Sequence, residues 1–180
     1  RIDRVIDATH PFAAQMSANA VAACARAAVP LIAFEREPWR AGPDDQFIEV
    51  ESLEAAAAAL GEAPRRVFLA IGRLHLPVFA CAGQHHYVVR LVDPPVGDLP
   101  LPDIEVIVAR GPFRRADDRS LLEAHRIDVI VAKNAGGEAA RAKIDAARDL
   151  GLPVILIKRP PIPARPTART IDALVDWLGR

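Results

Sequence analysis

Short apolar segments rich in β-branched residues alternate along this chain with segments of helical pattern, and this alternation limits the possible folds more than any other feature. From residue 43 onward the predicted strands are Phe47–Val50, Arg66–Ile71, His86–Val92, Ile104–Ala109, Ile127–Ala132 and Pro153–Lys158. The predicted helices are Ser52–Leu60, Leu74–Cys81, Asp117–His125, Glu138–Leu150 and Ile171–Leu178. Such alternation predicts an α/β doubly wound fold with a parallel sheet.

The first 42 residues predict an incomplete unit of the same kind. Strands Arg4–Ala8 and Pro30–Phe34 flank an Ala-rich helix over Ala13–Ala28, and a Pro/Gly-rich segment follows at 35–44. We therefore predict two lobes, 1–42 and 43–180. Two strands do not form a stable parallel sheet, so we expect an N-terminal part of the first lobe to be missing from this sequence.

The charge balance argues against partners that are bound through bulk charge. The 23 basic and 23 acidic residues cancel, which disfavours a nucleic acid or a membrane surface as the partner. An acidic ligand must therefore be bound by a local cluster. Cys24 and Cys81 are far apart in the sequence and are predicted to be buried free thiols, which favours a cytoplasmic location.

The segment Lys133–Gly137 lies between a predicted buried strand and a predicted helix. Gly136 and Gly137 let the backbone approach a ligand closely, and the start of a helix binds phosphate or carboxylate. Lys133 adds a cation, and Asn134 adds both a donor and an acceptor. Two interpretations are equally supported, namely a turn that needs glycine only for its geometry and an anion-binding loop.

Three other strand ends carry residues suited to binding. They are Thr9-His10-Pro11-Phe12, Gly72-Arg73 and Arg110-Gly111-Pro112-Phe113. In doubly wound sheets, ligands bind outside the carboxyl ends of the strands, so we expect these segments to form one composite site.

Each of these segments also has a purely structural interpretation. For Thr9 and His10 a capped helix with a hydrogen-bonded histidine is favoured, with Pro11 in its first turn. For Arg73 a ligand contact is slightly favoured. Arg110 follows an apolar strand, so it is a better candidate for binding carboxylate or phosphate than the neighbouring arginines, which are expected to pair with Asp117 and Asp118.

The sequence does not predict a metal site. His85 and His86 are adjacent on a predicted strand, where their side chains point to opposite faces. The sequence has no Cys-x-x-Cys or His-Glu-x-x-His pattern. It also lacks a Gly-x-Gly-x-x-Gly loop, which would belong to the strand expected to be missing.

Taken together, these segments resemble the precorrin-6A reductase family of cobalamin biosynthesis. The resemblance is carried by Asp7–Ala13, Gly72-Arg73, Arg110–Phe113 and Lys133–Gly137, and further by Lys143–Arg148, Gly151–Val154 and Arg159-Pro160. It covers nearly the whole chain. Two features differ: the family opens with a further βαβ segment carrying a Gly-Gly-Thr-type loop, and it commonly has Ser where Ala135 stands.

The resemblance implies two Rossmann-like doubly wound lobes with parallel sheets, the N-terminal one incomplete, and a cleft between them. It also implies NADPH-dependent reduction of precorrin-6A, or of cobalt-precorrin-6A, to precorrin-6B. In such a reaction the cofactor carries the chemistry and the protein aligns it with the acceptor carbon. The proton could come from solvent or from His10. The alternative is a non-catalytic module that binds a dinucleotide or another anion.

The roles expected on this basis can be stated by residue. The catalytic residue is His10; the NADPH-binding residues are Thr9, Lys133, Asn134, Gly136 and Gly137; the substrate-binding residues are Pro11, Phe12, Arg73 and Arg110. The expected partner is a small-molecule tetrapyrrole substrate, and we expect no metal site in the protein and no nucleic acid or membrane partner. A monomer in the cytoplasm is favoured.

Overall fold

The computed structural model describes residues 2–179. In chain order its strands are β1 Val5–Asp7, β2 Leu31–Phe34, β3 Phe47–Val50, β4 Arg66–Ala70, β5 His86–Leu91, β6 Ile104–Val108, β7 Val129–Lys133, β8 Val154–Ile157 and β9 Thr167–Ala168. Its α-helices are α1 Ala14–Ala27, α2 Leu53–Ala59, α3 Arg115–Ala124, α4 Ala142–Leu150 and α5 Ile171–Gly179. Segments Arg73–Ala82 and Glu138–Ala140 are 3-10 helices.

The chain divides into two units. Unit 1 contains the described residues up to Pro38 and those from Arg159 onward, and unit 2 is Trp39–Lys158. This division differs from the predicted lobes 1–42 and 43–180, because residues from Arg159 onward belong with the N-terminal segment. The reason is β9, a strand of two residues in a Pro-rich stretch, which pairs in parallel with β2. So short a strand leaves no alternation pattern in the sequence.

Unit 1 is built on a three-stranded parallel sheet in the order β1-β2-β9. Ala33 in the central strand is fully buried, as expected for a strand covered on both sides. Helix α1 ends at Ala27; the C-cap residue Ala28 has a left-handed backbone with φ 51°, and Pro30 follows.

Unit 2 is built on a six-stranded parallel sheet in the order β3-β8-β7-β4-β5-β6. All four residues of β8 are buried, as are Val67–Leu69 in β4 and Val129–Ala132 in β7. Such continuous apolar strands are typical of parallel sheets with helices on both faces. The predicted α/β class with parallel sheets is confirmed.

The helix after β7 begins later than the sequence predicts. Residues Glu138–Ala140 form a single 3-10 turn, and α4 begins only at Ala142. Gly136 and Gly137 have φ values of 67° and 73°, a region that favours glycine. These two glycines therefore shape a turn before the helix, and the predicted helix start at Glu138 is wrong.

The strand order of unit 2 reverses between β4 and β7. From β4 the chain proceeds to β5 and β6 on one side, then returns to β7 on the other side of β4. The connections that follow β4 and β7 therefore diverge, and such a switch point is where open α/β sheets bind ligands. Within residues 2–179, no helix is long and apolar enough to cross a membrane.

Candidate functional site

Unit 2 contains a cavity of about 320 Å³ at the switch point, which we call the switch-point cavity. Gly72 after β4, Arg90 at the end of β5, Phe113 after β6 and Lys143 at the start of α4 all line it. The carboxyl ends of several strands thus contribute to one space, to which the expected binding segments supply Gly72, Gly111, Pro112 and Phe113. The single composite site formed by all four segments stays a prediction.

Arg90 is held rigidly in the wall of this cavity. Its guanidinium group forms an ion pair with Asp118, in which Nη2 and Oδ2 are 3.5 Å apart and Nη1 and Oδ1 are closer. It also lies 3.5 Å from the ring centroid of Phe113 and 5.3 Å from that of Phe68. The side chains of Arg90 and Asp118 are only 10% and 3% exposed. The orientation of the guanidinium plane is therefore set before any ligand binds.

Lys143 adds a second cation to the switch-point cavity. Its ammonium group donates to the carbonyl of Ala140 over 2.6 Å and lies 4.9 Å from the ring centroid of Trp39. The ionisable residues that line the cavity are two cations, Arg90 and Lys143, and one carboxylate, Asp118. The cavity therefore favours an anionic group.

The loop after β7 is tied to the segment that opens unit 2. Asn134 is buried, and its side-chain amide exchanges two hydrogen bonds with the backbone of Trp39, over 2.8 and 2.9 Å. The Trp39 indole N–H donates to the carbonyl of Gly137 over 2.9 Å. One donor and one acceptor of the Asn134 amide thus serve the fold. The cofactor role of Asn134, Gly136 and Gly137 stays a prediction.

Lys133 lies at the carboxyl end of β7, beside the switch point, and is partly buried. Burial lowers the pKa of its ammonium group. Burial also lowers the pKa of His75, and the positive charge of Lys133 lowers it further. Lys133 and His75 therefore influence each other where the connections after β4 and β7 diverge.

The two predicted arginine contacts have different surroundings. Arg73 donates to the carbonyl of Val96 over 2.8 Å and lines a second cavity of about 320 Å³, the adjoining cavity, together with Gly72, Arg90 and Asp93. Arg110 forms an ion pair with Asp93 over 3.1 Å, and its side chain is 74% exposed. It does not line either of the two unit 2 cavities just described.

Unit 1 has its own cavity, of about 220 Å³, and three predicted site residues line it: Thr9, His10 and Pro11. Phe12 is not among its lining residues. The backbone N–H of Phe12 donates to Nδ1 of His10 over 3.2 Å, so a neutral His10 ring carries its proton on Nε2. The two rings are 5.8 Å apart. His10 can therefore act as a donor through Nε2.

Thr9 does not cap the following helix. The N-cap of α1 is Ala13, without a side-chain hydrogen bond, and the Thr9 hydroxyl instead donates to Oδ1 of Asp7 over 2.7 Å. The backbone N–H of Thr9 donates to the same oxygen over 3.1 Å. The role of Thr9 in the fold is thus to fix a buried carboxylate.

An ion-pair network around Asp7 was missed in the sequence. Arg165 Nε lies 3.5 Å from Asp7 Oδ2, and Arg165 Nη2 lies 2.8 Å from Glu35 Oε1. Burial alone raises the pKa of Asp7, but the hydroxyls of Ser17 and Thr9, the Thr9 N–H and the charge of Arg165 together lower it. A carboxylate at the end of a short predicted strand was the available signal, but its partner Arg165 lies near the other end of the chain.

The histidines and cysteines of the described residues have structural surroundings. Among residues 2–179, no group of three or more His, Cys, Asp or Glu side chains could hold a metal ion. His86 Nδ1 lies within hydrogen-bonding distance of Asp103 Oδ1, at 2.8 Å, and His85 is buried. Both cysteines are free; Cys24 is buried as predicted, but Cys81 is exposed, so that prediction is wrong.

A parallel α/β protein with a cationic cavity at its switch point belongs to the class that binds anionic cofactors or substrates. The chain matches the family described as Precorrin-6x reductase CbiJ/CobK over residues 1–179. It belongs to this family of reductase enzymes. The resemblance seen in the sequence is thereby confirmed.

Individual relatives support this membership. The chain is 59% identical over 178 residues to the Precorrin-6A reductase of Rhodobacter capsulatus, covering 99% of this chain and 71% of that protein. It is 33% identical over 187 residues to the Cobalt-precorrin-6A reductase of Priestia megaterium, covering 98% and 73%. A solved structure of CobK precorrin-6A reductase matches with a TM-score of 0.98 at 59% identity, covering 99% of this chain and 73% of that one.

Proposed function

We propose that this protein reduces precorrin-6A to precorrin-6B with NADPH as the hydride donor. The observation that carries the proposal is the 59% identity to a Precorrin-6A reductase across 99% of the chain. The metal-free substrate is favoured over cobalt-precorrin-6A because relatives named Precorrin-6A reductase reach 59% and 50% identity, whereas those named Cobalt-precorrin-6A reductase reach 33% and 28%.

The residues of unit 2 fit an anionic ligand. The switch-point cavity presents Arg90 and Lys143, and the adjoining cavity presents Arg73. A fixed guanidinium suits carboxylate and phosphate oxygens, which it can bind in pairs. Lys133 adds positive charge beside the switch point, and the turn at Gly136 and Gly137 positions the start of α4. These residues support the binding of a phosphate of NADPH or a carboxylate of the macrocycle.

The residues of unit 1 fit a role in proton transfer and positioning. NADPH, when bound, supplies a hydride to the conjugated macrocycle, and one proton completes the reduction. The His10 Nε2–H is the proton donor that we propose, since Nδ1 accepts from the Phe12 backbone. Thr9 holds the Asp7 carboxylate in place, and Pro11 closes the same cavity wall. Phe12 fixes the His10 ring.

The test is turnover of precorrin-6A with NADPH. We expect oxidation of NADPH together with a product heavier by two hydrogen atoms, faster with NADPH than with NADH and faster with precorrin-6A than with its cobalt complex. Consumption of NADPH without a reduced macrocycle, or no consumption, would contradict the proposal.

A histidine substitution tests the proton donor. His10→Asn is expected to lower kcat at least tenfold while the KM for NADPH changes little, because proton transfer contributes roughly 10²–10⁴-fold in such reactions. The matched control is His125→Asn. His125 follows helix α3 in unit 2, next to Glu105, whereas His10 lies in unit 1, so the control removes a histidine away from the proposed proton donor. An unchanged kcat in His10→Asn would assign the proton to solvent.

A further inference from the structure

The two cavities of unit 2 share a wall. Gly72 and Arg90 line both the switch-point cavity and the adjoining cavity, each of about 320 Å³. Gly72 has φ 85°, and a Cβ atom there would meet no heavy atom within 4 Å, so it would project into open space. Because Gly72 has no side chain, the barrier between the two cavities is small and the Gly72 backbone is accessible to a ligand.

The charges of the two cavities repeat on either side of this wall. The switch-point cavity is lined by Arg90, Lys143 and Asp118, and the adjoining cavity by Arg90, Arg73 and Asp93. Each therefore has two cations and one carboxylate. Both carboxylates have a cationic partner, since Asp118 pairs with Arg90 and Asp93 with Arg110.

Arg90 is suited to serve both sides at once. A guanidinium group has five N–H donors in one plane, and two of them bond to Asp118. The Phe113 ring stacks on the Arg90 guanidinium group at 3.5 Å. This stacking fixes the plane of the guanidinium group, so that its N–H donors stay available to both cavities. A lysine at this position would keep the charge but would lose both the planar fork and the stacking.

We propose that the two cavities together bind one ligand that carries two neighbouring anionic groups, one in each cavity, with Arg90 contacting both. The natural source of these groups rests on the proposed function: either the diphosphate of the dinucleotide or two neighbouring carboxylates of the macrocycle. The binding chemistry itself does not depend on turnover, so it can be tested separately.

Binding of simple anions at constant ionic strength tests the pairing. Inorganic pyrophosphate, phosphate and sulfate are titrated into the protein by calorimetry. In a second measurement the Trp177→Phe variant is used, so that the fluorescence comes from Trp39, which lies near Lys143 and reports on binding there. We expect pyrophosphate to bind at least tenfold more tightly than sulfate, which has charge but only one anionic centre. Equal affinities for the two would overturn the proposal.

Variants show whether the tighter binding of pyrophosphate than of sulfate depends on both cavities. Arg73→Gln and Lys143→Gln are each expected to remove most of the pyrophosphate advantage while sulfate affinity falls less than threefold. Arg90→Lys should weaken both anions, and Arg119→Lys, an exposed arginine on α3, should weaken neither. If Arg73→Gln and Lys143→Gln leave the pyrophosphate-to-sulfate ratio unchanged, the cavities do not act together.

Competition identifies the source of the anionic groups. Displacement of pyrophosphate by NADPH assigns the paired cavities to the cofactor, and displacement by uroporphyrin, a tetrapyrrole with many carboxylates, assigns them to the macrocycle. Displacement by neither overturns the proposal. If the enzyme turns over but binds pyrophosphate and sulfate with equal affinity, this inference alone is rejected. If pyrophosphate binds at least tenfold more tightly than sulfate but there is no turnover, only the proposed function is rejected.

Discussion

The side-chain amide of Asn134 and the backbone of Trp39 form a reciprocal pair of hydrogen bonds. The Trp39 N–H donates to Oδ1 over 2.8 Å, and Nδ2 donates to the Trp39 carbonyl over 2.9 Å, across 95 positions of sequence. Both residues are buried. The Asn134 amide thus pairs with the backbone N–H and C=O of Trp39, as a neighbouring strand would, and connects the loop after β7 with the start of unit 2.

Removal of this amide should destabilise the fold. Asn134→Ala leaves a buried N–H and a buried C=O of Trp39 without partners, so we expect the free energy of unfolding to fall by about 2–4 kcal/mol. Urea denaturation measures this, with Asn19→Ala on the exposed side of α1 as the control. Unchanged stability combined with lost NADPH affinity would instead assign Asn134 to the ligand.

The buried Arg90–Asp118 ion pair gives a second prediction. Arg90→Met leaves a carboxylate that is 3% exposed without its cation, which we expect to cost about 3–5 kcal/mol of unfolding free energy. The double variant Arg90→Met/Asp118→Leu should recover most of that loss, because no buried charge remains, yet it should still fail to bind pyrophosphate. Recovery of binding in the double variant would show that Arg90 does not contact the anion.

The contribution of Asp45 to the free energy of unfolding should be lost at acidic pH. This carboxylate accepts from Arg148 Nε over 2.9 Å, Arg148 Nη2 over 3.0 Å and the Gly42 N–H over 2.8 Å. Burial raises its pKa, but these hydrogen bonds and the charges of Arg148 and Arg141 outweigh burial, so its folded pKa lies below the ordinary 3.8.

The sign of the pH dependence follows from this depressed pKa. The stabilisation is complete well above pH 3.8 and is lost as the pH falls through the folded pKa, because the unfolded chain binds the proton first. At neutral pH Asp45→Asn should lower the unfolding free energy by about 1.5–3 kcal/mol. That difference should vanish in strong acid; a difference independent of pH would contradict the assignment.

Lys133 should show a pH dependence of the same sign as that of Asp45, but in the range below its ordinary pKa of 10.5. Burial lowers its pKa below the ordinary 10.5, so the unfolded chain holds this proton more strongly than the folded chain. The wild type should therefore gain stability relative to Lys133→Met as the pH rises through the folded pKa toward 10.5. We also expect Lys133→Met to weaken NADPH or macrocycle binding severalfold without a lower Tm; the exposed Lys158→Met serves as the control.

The strands of unit 2 could be predicted well because their signal is local. A continuous apolar run such as the one in β7 or β8 carries its own pattern, and Ser52 marks the start of α2 by accepting from the Ala55 N–H. The 3-10 turn at Glu138–Ala140 could not be predicted, since its residues are good helix formers. Only the left-handed Gly136 and Gly137 and the packing of the loop delay α4 to Ala142.

The sequence by itself determined the α/β class, the family and the segments at strand ends that carry the binding chemistry. It also placed Thr9, His10 and Pro11 together, because they are neighbours in the chain. Only the tertiary structure decided that Arg90 pairs with Asp118, that Asp7 meets Arg165, and that Asn134 bonds to Trp39. These contacts join residues that are distant in sequence, and strand order and register, which local patterns do not encode, bring them together.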